Sequence, residues 1–351
     1  MMAKLHNIFE VHDNISRPYD ASFRIGFTIA VVIQYSVMQK LLRVAVVGAG
    51  KLGARHAEVY SKLPGVELVG VCDIIEHRAK ECALHCKTKA YKDYRELLGQ
   101  LDAASIAVPS HMHHSISKEF LEQGTHLLIE KPITTSLADA DGLLAIAKEK
   151  GLIIQVGHIE RFNSAIRAIK NIIKVPRFIE CHRLGPYDPR IINTGVTIDL
   201  MIHDIDIVLD LVKSPIKYVD AVGACILSKT EDIANARIRF ENNSVCDLTA
   251  SRVTKNVMRK IRIFQDDAYI SMDYVKQEAA IHTRENGSIH YRIIDITKSD
   301  SLKEELADFI SCVRNQKQPI VSGVEGRAAL ALALQIQQQI QQQIQGRQPN
   351  H

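Results

Sequence analysis

The sequence predicts an α/β chain in two parts: a doubly wound parallel sheet, then a second α/β domain with a largely antiparallel, open sheet. Three observations predict it. Between Arg43 and Gly157, short apolar runs alternate with stretches of helical period, the pattern of buried parallel strands and their crossover helices. From His158 onward, strand-like runs succeed one another with hairpin signals and few helices between them. A chain of 351 residues, 46% of them hydrophobic, also suffices for two cores. The expected organisation is an extension over 1–38 that need not be native, a nucleotide-binding domain over 39–157, a second domain over 158–330, and a Gln-rich helix or tail over 331–351.

The extension holds the one membrane-like stretch, "IGFTIAVVIQYSVM" at 25–38. Its apolar core, Phe27–Ile33, is far shorter than the ~20 residues that span a bilayer, and no small-residue cleavage site follows it. Met38 is the expected native start, because "MQKLLRVAVVGAG" opens a domain cleanly. Val44–Val47 reads as a buried strand. Gly48, Gly50 and Gly53 follow in G-x-G-x-x-G spacing, and a helix is expected from about Leu52 to Lys62, stopped by Pro64 and Gly65. "VELVGVCD" is the second strand and ends in Asp73, 20 residues beyond Gly53.

Alone, the glycine spacing could mark an ordinary tight turn. With a strand before it, a helix after it and an acid closing the next strand, it reads as a dinucleotide site. Gly48 permits the turn, Gly50 lets the backbone approach a pyrophosphate, and Gly53 lets helix pack on strand. The helix start at Lys51 and Leu52 offers free N–H groups to the phosphates. Asp73 would accept hydrogen bonds from the ribose hydroxyls and repel a 2′-phosphate, favouring NAD over NADP. His77, Arg78 and Lys80 lie close enough in sequence to soften that preference.

The alternation continues with "YKDYRELLGQ" as a helix, "AASIAVP" as a strand, "HHSISKEFLEQG" as a helix and "THLLIEKP" as a strand. "SLADADGLLAIAKEKG" is a helix and "LIIQVGH" a strand. Ligands of such sheets lie beyond the carboxyl ends of the strands, where Pro109, Ser110 and His113 follow one strand and Glu130, Lys131 and Pro132 another. On spacing alone, Lys131 could equally be a solvated loop lysine.

In the second half, "DLMIHDIDIVLDL" (199–211) places four acids and a histidine in an otherwise apolar segment. Read at ~100° per residue, Asp199, His203, Asp206 and Asp210 share an arc of roughly 60°, with Asp204 elsewhere. An ordinary surface helix has a broad polar face; this one has a thin polar line.

Composition narrows the function classes. Net charge is +4 with no dense basic run, which gives nucleic-acid binding no support. Seven cysteines include no C-x-x-C pair, so neither a disulfide framework nor a zinc site is expected, and a reducing cytosol is the simplest setting. No metal is expected elsewhere: Asp206 and Asp210 could hold one but lack further ligands.

Taken together, "VVGAGKLGARH", "VPSHMHH", "EKPITTS", "VGHIERFN" and "DLMIHDID", in this order between about Arg43 and Ile336, resemble the Gfo/Idh/MocA family. The resemblance implies NAD(P)-dependent oxidation of a CH–OH group of a sugar or polyol. It also implies a Rossmann domain joined to a mixed α/β domain whose open sheet mediates homo-oligomerisation, as a dimer or tetramer. It assigns Lys131, Asp199 and His203 to the reacting centre and puts His113 near the cofactor. Two departures bear on pocket shape and so on substrate: only Gly195 remains of a usual Gly-rich turn, and Met201 replaces a small residue. "GHIERFN", "TIDLMIHDIDIVLDLV", "EDIANARIRFENNSV" and "TASRVTKNVMRKIRIF" are similar to the bacterial subgroup that oxidises the 3-hydroxyl of UDP-N-acetylglucosamine. That likeness implies a cytoplasmic step of lipopolysaccharide (lipid A) biosynthesis, followed by a PLP-dependent aminotransferase.

Roles follow from chemistry. Histidine titrates near neutrality, so His203 is the expected general base; Lys131 would donate a hydrogen bond to the developing alkoxide, and Asp199 would stand beside the hydroxyl or tune the imidazole. A neutral Lys131 as base remains open. Asp206 and Asp210 are expected to form ion pairs that hold their helix. Arg161, Arg183 and Arg190 are expected as a group to meet a substrate pyrophosphate, with Tyr187 and Asn193 on sugar hydroxyls. Arg252, Arg259 and Lys260 fit an oligomer interface, and the Gln-rich C-terminus a frayed helix. The competing readings are another sugar, a UDP-sugar uronate or an inositol as substrate, and a non-catalytic NAD-dependent sensor.

Overall fold

The structure, a computed structural model, describes residues 40–188, 194–285 and 287–346. The expected extension, Arg190 and Asn193 therefore lie outside the described residues. Strands β1 (Leu42–Val47), β2 (Val66–Cys72), β3 (Lys89–Tyr91), β4 (Ala103–Ile106), β5 (His126–Glu130) and β6 (Ile154–Gly157) form a parallel sheet in the order β3-β2-β1-β4-β5-β6. This is the doubly wound order whose direction reverses beside β1, leaving a crevice at the carboxyl ends of β1 and β4. Helices α1 (Lys51–Tyr60), α2 (Glu76–Cys86), α3 (His113–Glu122) and α4 (Leu137–Lys150) cross between the strands.

Strand period explains how the sheet is covered on both faces. Val44 and Val46 of β1 join Tyr60, Leu306 and Phe309 in one core, while Ala45 and Val47 join Phe120, Leu143 and Leu330 in the other. Of the expected helix at "YKDYRELLGQ", Tyr91 instead ends strand β3 and only a short 3-10 turn, Tyr94–Leu97, forms. The strand wins because Lys89–Tyr91 completes the sheet edge on β2 and the Tyr91 ring fills the space above Gly70, where a Cβ would collide with it. The helix Glu76–Cys86 went unread. Its acids, bases and cysteines give it a weak apolar stripe, and only Ala79, Cys82, Ala83 and Cys86 are buried.

The second sheet has eight strands: β7 (Phe178–Leu184), β8 (Ile216–Ala224), β9 (Ile233–Phe240), β10 (Val245–Ser251), β11 (Met258–Gln265), β12 (Ala268–Asp273), β13 (Glu278–Glu285) and β14 (Ser288–Ile294). Their order is β14-β13-β12-β11-β7-β10-β9-β8, antiparallel except for the β7–β10 pair. One face is closed by helices α5 (Ser164–Lys170), α6 (Ile202–Val212) and α8 (Gly323–Gly346) over a continuous core. Among the described residues no helix covers the opposite face. Across it Phe178, Phe264, Tyr269, His282 and Tyr291 form a ladder of ring contacts, each pair 4.7–5.7 Å between centroids.

Two C-terminal helices return to the first sheet. Helix α7 (Ser301–Asn315) sets Leu302, Leu306 and Phe309 into the core shared with β1, although its sequence position fell within the expected second domain. As far as Gly346, the last described residue, the Gln-rich segment is an ordered helix rather than a frayed one. In α8, Ile336 and Ile340 are fully buried, and Gln339 and Gln343 donate side-chain hydrogen bonds to the Val219 and Ala221 carbonyls of β8. A four-residue isoleucine stripe is enough when the flanking glutamines satisfy the backbone of an edge strand. Among the described residues no helix is long and apolar enough to cross a membrane.

Candidate active site

Strand β1 delivers the glycine turn. Gly48 takes φ +100°, and a Cβ there would collide with the Ala107 carbonyl. Gly53 lies so close to the Gly48 carbonyl that no side chain fits, whereas Gly50 has open space where a Cβ would be. Helix α1 starts beyond Gly50 without a side-chain cap or an acid in its first turn, so its leading N–H groups are free for an anion. A dinucleotide pyrophosphate fits this turn: it needs the room at Gly50 and the uncapped donors. Asp73, after β2, accepts from the Ala49 N–H at 2.7 Å and the Ile75 N–H at 2.8 Å, which fixes its carboxylate beside the turn.

Beyond the same strand ends lies a cleft of about 230 Å³. Leu52, Ser110, His113, Glu130 and Lys131 line it from the first half, and Thr194, Ile198 and Asp199 from the second. Lys131 and Asp199, 68 residues apart in sequence, meet here: Nζ donates to the Asp199 carbonyl at 2.6 Å and to its carboxylate at 3.2 Å. Both side chains keep about a fifth of their surface exposed (19% and 22%), so a ligand can reach them. His113 is buried and clasps two loops of the cleft, with Nδ1 2.8 Å from the Pro132 carbonyl and Nε2 2.9 Å from that of Val108. Burial lowers its pKa.

Asp199 does not sit on a regular helix. Thr197–Met201 forms one π-helical turn before α6 begins at Ile202. The single polar arc expected over 199–210 is therefore broken at its first member, which the wider turn carries toward Lys131. His203 stands in the first turn of α6. It is partly buried, and its Nδ1 is fully buried without a hydrogen-bond partner among the described residues. Burial first, then the Lys131, Arg183 and Arg259 cations and the neighbouring His158, hold its pKa well below the usual 6.5. His203 is thus a neutral imidazole at physiological pH. It is not among the residues lining the cleft itself, which Lys131 and Asp199 are.

The deeper acids of α6 answer to cations. Arg161 lies 3.4 Å from Asp206 and 3.0 Å from Asp210, and Lys170 pairs with Asp210 at 2.7 Å. Asp204 takes both Nε and Nη2 of Arg183, at 2.9 and 2.8 Å, while Glu160 takes Nη1 at 2.9 Å. This corrects the expectation for two arginines. Arg161 and Arg183 are buried and committed to carboxylates, so neither offers a free fork to a pyrophosphate. The Tyr187 ring lies 5.8 Å from the Arg252 guanidinium, which is itself buried against Asp232 at 2.7 Å rather than turned to an interface.

Sequence reading passed over three groups. His158 is buried with its ring 6.3 Å from that of His203, edge to face, and burial plus the Lys131 cation push its pKa down to about 3. His56 on α1 lies 3.1 Å from Glu130, and Glu305 of α7 completes a buried trio. His158 and His56 each stand in a quoted motif, "VGHIERFN" and "VVGAGKLGARH", whereas Glu305 does not; the trio joins segments too distant in sequence to be linked by pattern.

Comparison with known proteins agrees with this architecture. Residues 42–158 match an oxidoreductase family with an NAD-binding Rossmann fold, Gfo/Idh/MocA, and residues 176–271 match that family's C-terminal domain. A UDP-N-acetylglucosamine 3-dehydrogenase of Acidithiobacillus ferrooxidans is 35% identical over 303 residues, 84% of this chain and 96% of that protein. The chain belongs to the Gfo/Idh/MocA family. A solved structure of the UDP-N-acetylglucosamine 3-dehydrogenase from A. ferrooxidans superposes with a TM-score of 0.82 at 34% identity, covering 86% of this chain and 98% of that one. The myo-inositol 2-dehydrogenase of Thermotoga maritima is 26% identical, over 83% of this chain and 94% of its own length. This Gfo/Idh/MocA protein is accordingly an oxidoreductase, and its first half is the domain that binds a nicotinamide cofactor.

Proposed function

We propose that the enzyme uses NAD to oxidise the 3-hydroxyl of UDP-N-acetylglucosamine to the 3-keto sugar, as substrate for a PLP-dependent aminotransferase in amino-sugar and lipid A biosynthesis. The observation that carries the reading is the meeting of Lys131 and Asp199 across the two halves, in the lining of a cleft that Leu52, next to the glycine turn, also lines. The likeness to a UDP-N-acetylglucosamine 3-dehydrogenase supports the choice of substrate.

The chain's own groups suit the chemistry. Bound NAD supplies the hydride acceptor. The hydroxyl proton goes to a base, and His203, kept neutral by burial and by Lys131, is free to accept it. The Lys131 ammonium, held by Asp199, donates to the oxygen as it gains negative charge. Asp73 beside the adenosine end disfavours a 2′-phosphate, so NAD is the proposed cofactor and NADP the poorer one. The open sheet face, where Tyr291 is 60% and Ile289 79% exposed, is the surface proposed for a homo-oligomer.

The test follows NADH absorbance with UDP-N-acetylglucosamine, a UDP-sugar uronate, free sugars and inositols, each with NAD and NADP. UDP-N-acetylglucosamine is expected to give the highest kcat/KM, and NAD to exceed NADP by at least about tenfold. Turnover of inositol with no UDP-sugar would overturn the proposal, and no turnover with any substrate would favour the sensor reading.

A further inference from the structure

A second cavity, of about 120 Å³, adjoins the cleft and shares Asp199 with it. Three arginines line it: Arg183, Arg252 and Arg259. Two are spoken for. Arg183 holds Asp204 and Glu160, and Arg252 holds Asp232 and the Thr194 carbonyl. Arg259, on β11, differs from both. Its side chain is 44% exposed, and among the described residues its guanidinium makes no hydrogen bond. Glu160 lies 4.0 Å away, but that same oxygen is already bonded to Arg183 at 2.9 Å. Of the other two acids whose charge acts on it, Asp204 is taken by Arg183 and Asp199 by Lys131; Asp188 also lines the cavity. Burial and the Arg183 cation lower the pKa of Arg259, against the opposing pull of Glu160, Asp204 and Asp199.

We propose that Arg259 is the specificity-determining cation of this enzyme, taking the diphosphate of a nucleotide-sugar substrate in the cavity beside Asp199. The inference rests on the substrate reading above and moves the anion-binding role from Arg161 and Arg183 to a residue of the open sheet. The chemistry fits the layout. With the reacting hydroxyl at Lys131 and Asp199, the diphosphate hangs from the anomeric carbon across one sugar ring, so its site must adjoin the cleft without entering it. Gly185, which also lines the cavity, has open space where a Cβ would be, leaving room for a bulky anion. A guanidinium fork with unfilled donors binds phosphate oxygens in pairs, which a neutral polyol cannot exploit.

The test is steady-state kinetics of wild-type enzyme, Arg259→Gln and Arg259→Lys with UDP-N-acetylglucosamine, together with competitive inhibition by UDP. Arg259→Gln is expected to raise KM for the UDP-sugar and Ki for UDP by about 10- to 100-fold, with Arg259→Lys between it and wild type and KM for NAD unmoved. If the wild type oxidises UDP-N-acetylglucosamine and Arg259→Gln leaves both constants unchanged, the inference is overturned while the substrate proposal stands. If KM for NAD rises in step with that for the sugar, the residue is structural and the inference again fails. A wild type that turns over polyols alone overturns both.

Discussion

Lys131 concentrates the chemistry in one side chain. Its ammonium is pinned by two bonds to Asp199, one to a backbone carbonyl, so it is oriented before any substrate arrives. Lys131→Met keeps the apolar stem and deletes the charge. We expect kcat to fall about 100- to 1000-fold, with the NAD dissociation constant, measured by calorimetry, within a factor of about three of wild type. Loss of NAD binding instead would make Lys131 a cofactor ligand. His203 gives a second prediction, and its sign is fixed by the causes of its shift. Burial and the Lys131 cation both favour the neutral ring, so the base form persists as pH drops through 6.5. The acid limb of kcat/KM should therefore lie well below pH 6.5, and a limb at or above 6.5 would remove His203 from the role of base. The same depression bears on stability. The unfolded chain takes up a proton near pH 6.5 that the folded chain refuses, so folding stability declines as pH falls below that value. His158, with its pKa near 3, adds to the decline.

At the scale of elements, helix α8 does work its composition conceals. Close to its start, Gly326 lies so near Val156 of β6 that a side chain would collide, and about three to four turns further on Ile336 and Ile340 enter the core of the second sheet. Ile340→Ala empties a fully buried site against Gly223 of β8. A loss of about 2–5 kcal/mol is expected, seen as a lower denaturation midpoint; an unchanged midpoint would mean this end of the helix is dispensable. What could be read in advance divides along the same line. Elements with one clear period, such as β1, α1, α3 and β5, were legible because strand or helix spacing dominates their burial. The short β3, helix α2 and the packing of α8 were not, since each depends on a distant partner: an empty space above Gly70, a sheet edge, a row of free carbonyls. The site divides similarly. Lys131 and Asp199 could be named from motifs, but the fate of the arginines could not. Whether a guanidinium is free depends on which carboxylates the fold brings to it, and Arg161 and Arg259 look alike until Asp206, Asp210 and Glu160 are in place.

For the molecule as a whole, the two sheets are bound by more than the link between them. From Leu42 onward the chain packs as one compact unit. Helix α7, arriving from beyond β14, completes the core under β1. Helix α8 touches both cores, through Leu330 in the first and Ile336 in the second. The buried trio of His56, Glu130 and Glu305 joins α1, the end of β5 just before Lys131, and α7 at one point. Burial and the nearby Glu130 charge raise the Glu305 pKa well above 4.5. An interface this continuous predicts that neither half melts alone. Calorimetry should show a single endotherm. Because NAD binds only the folded first half, saturating it at about 100 times its dissociation constant adds about 2.7 kcal/mol, and the whole endotherm should move to higher temperature. Two endotherms, with NAD shifting only one, would show that the sheets unfold independently and that the cleft between them is held by Lys131, Asp199 and few other contacts.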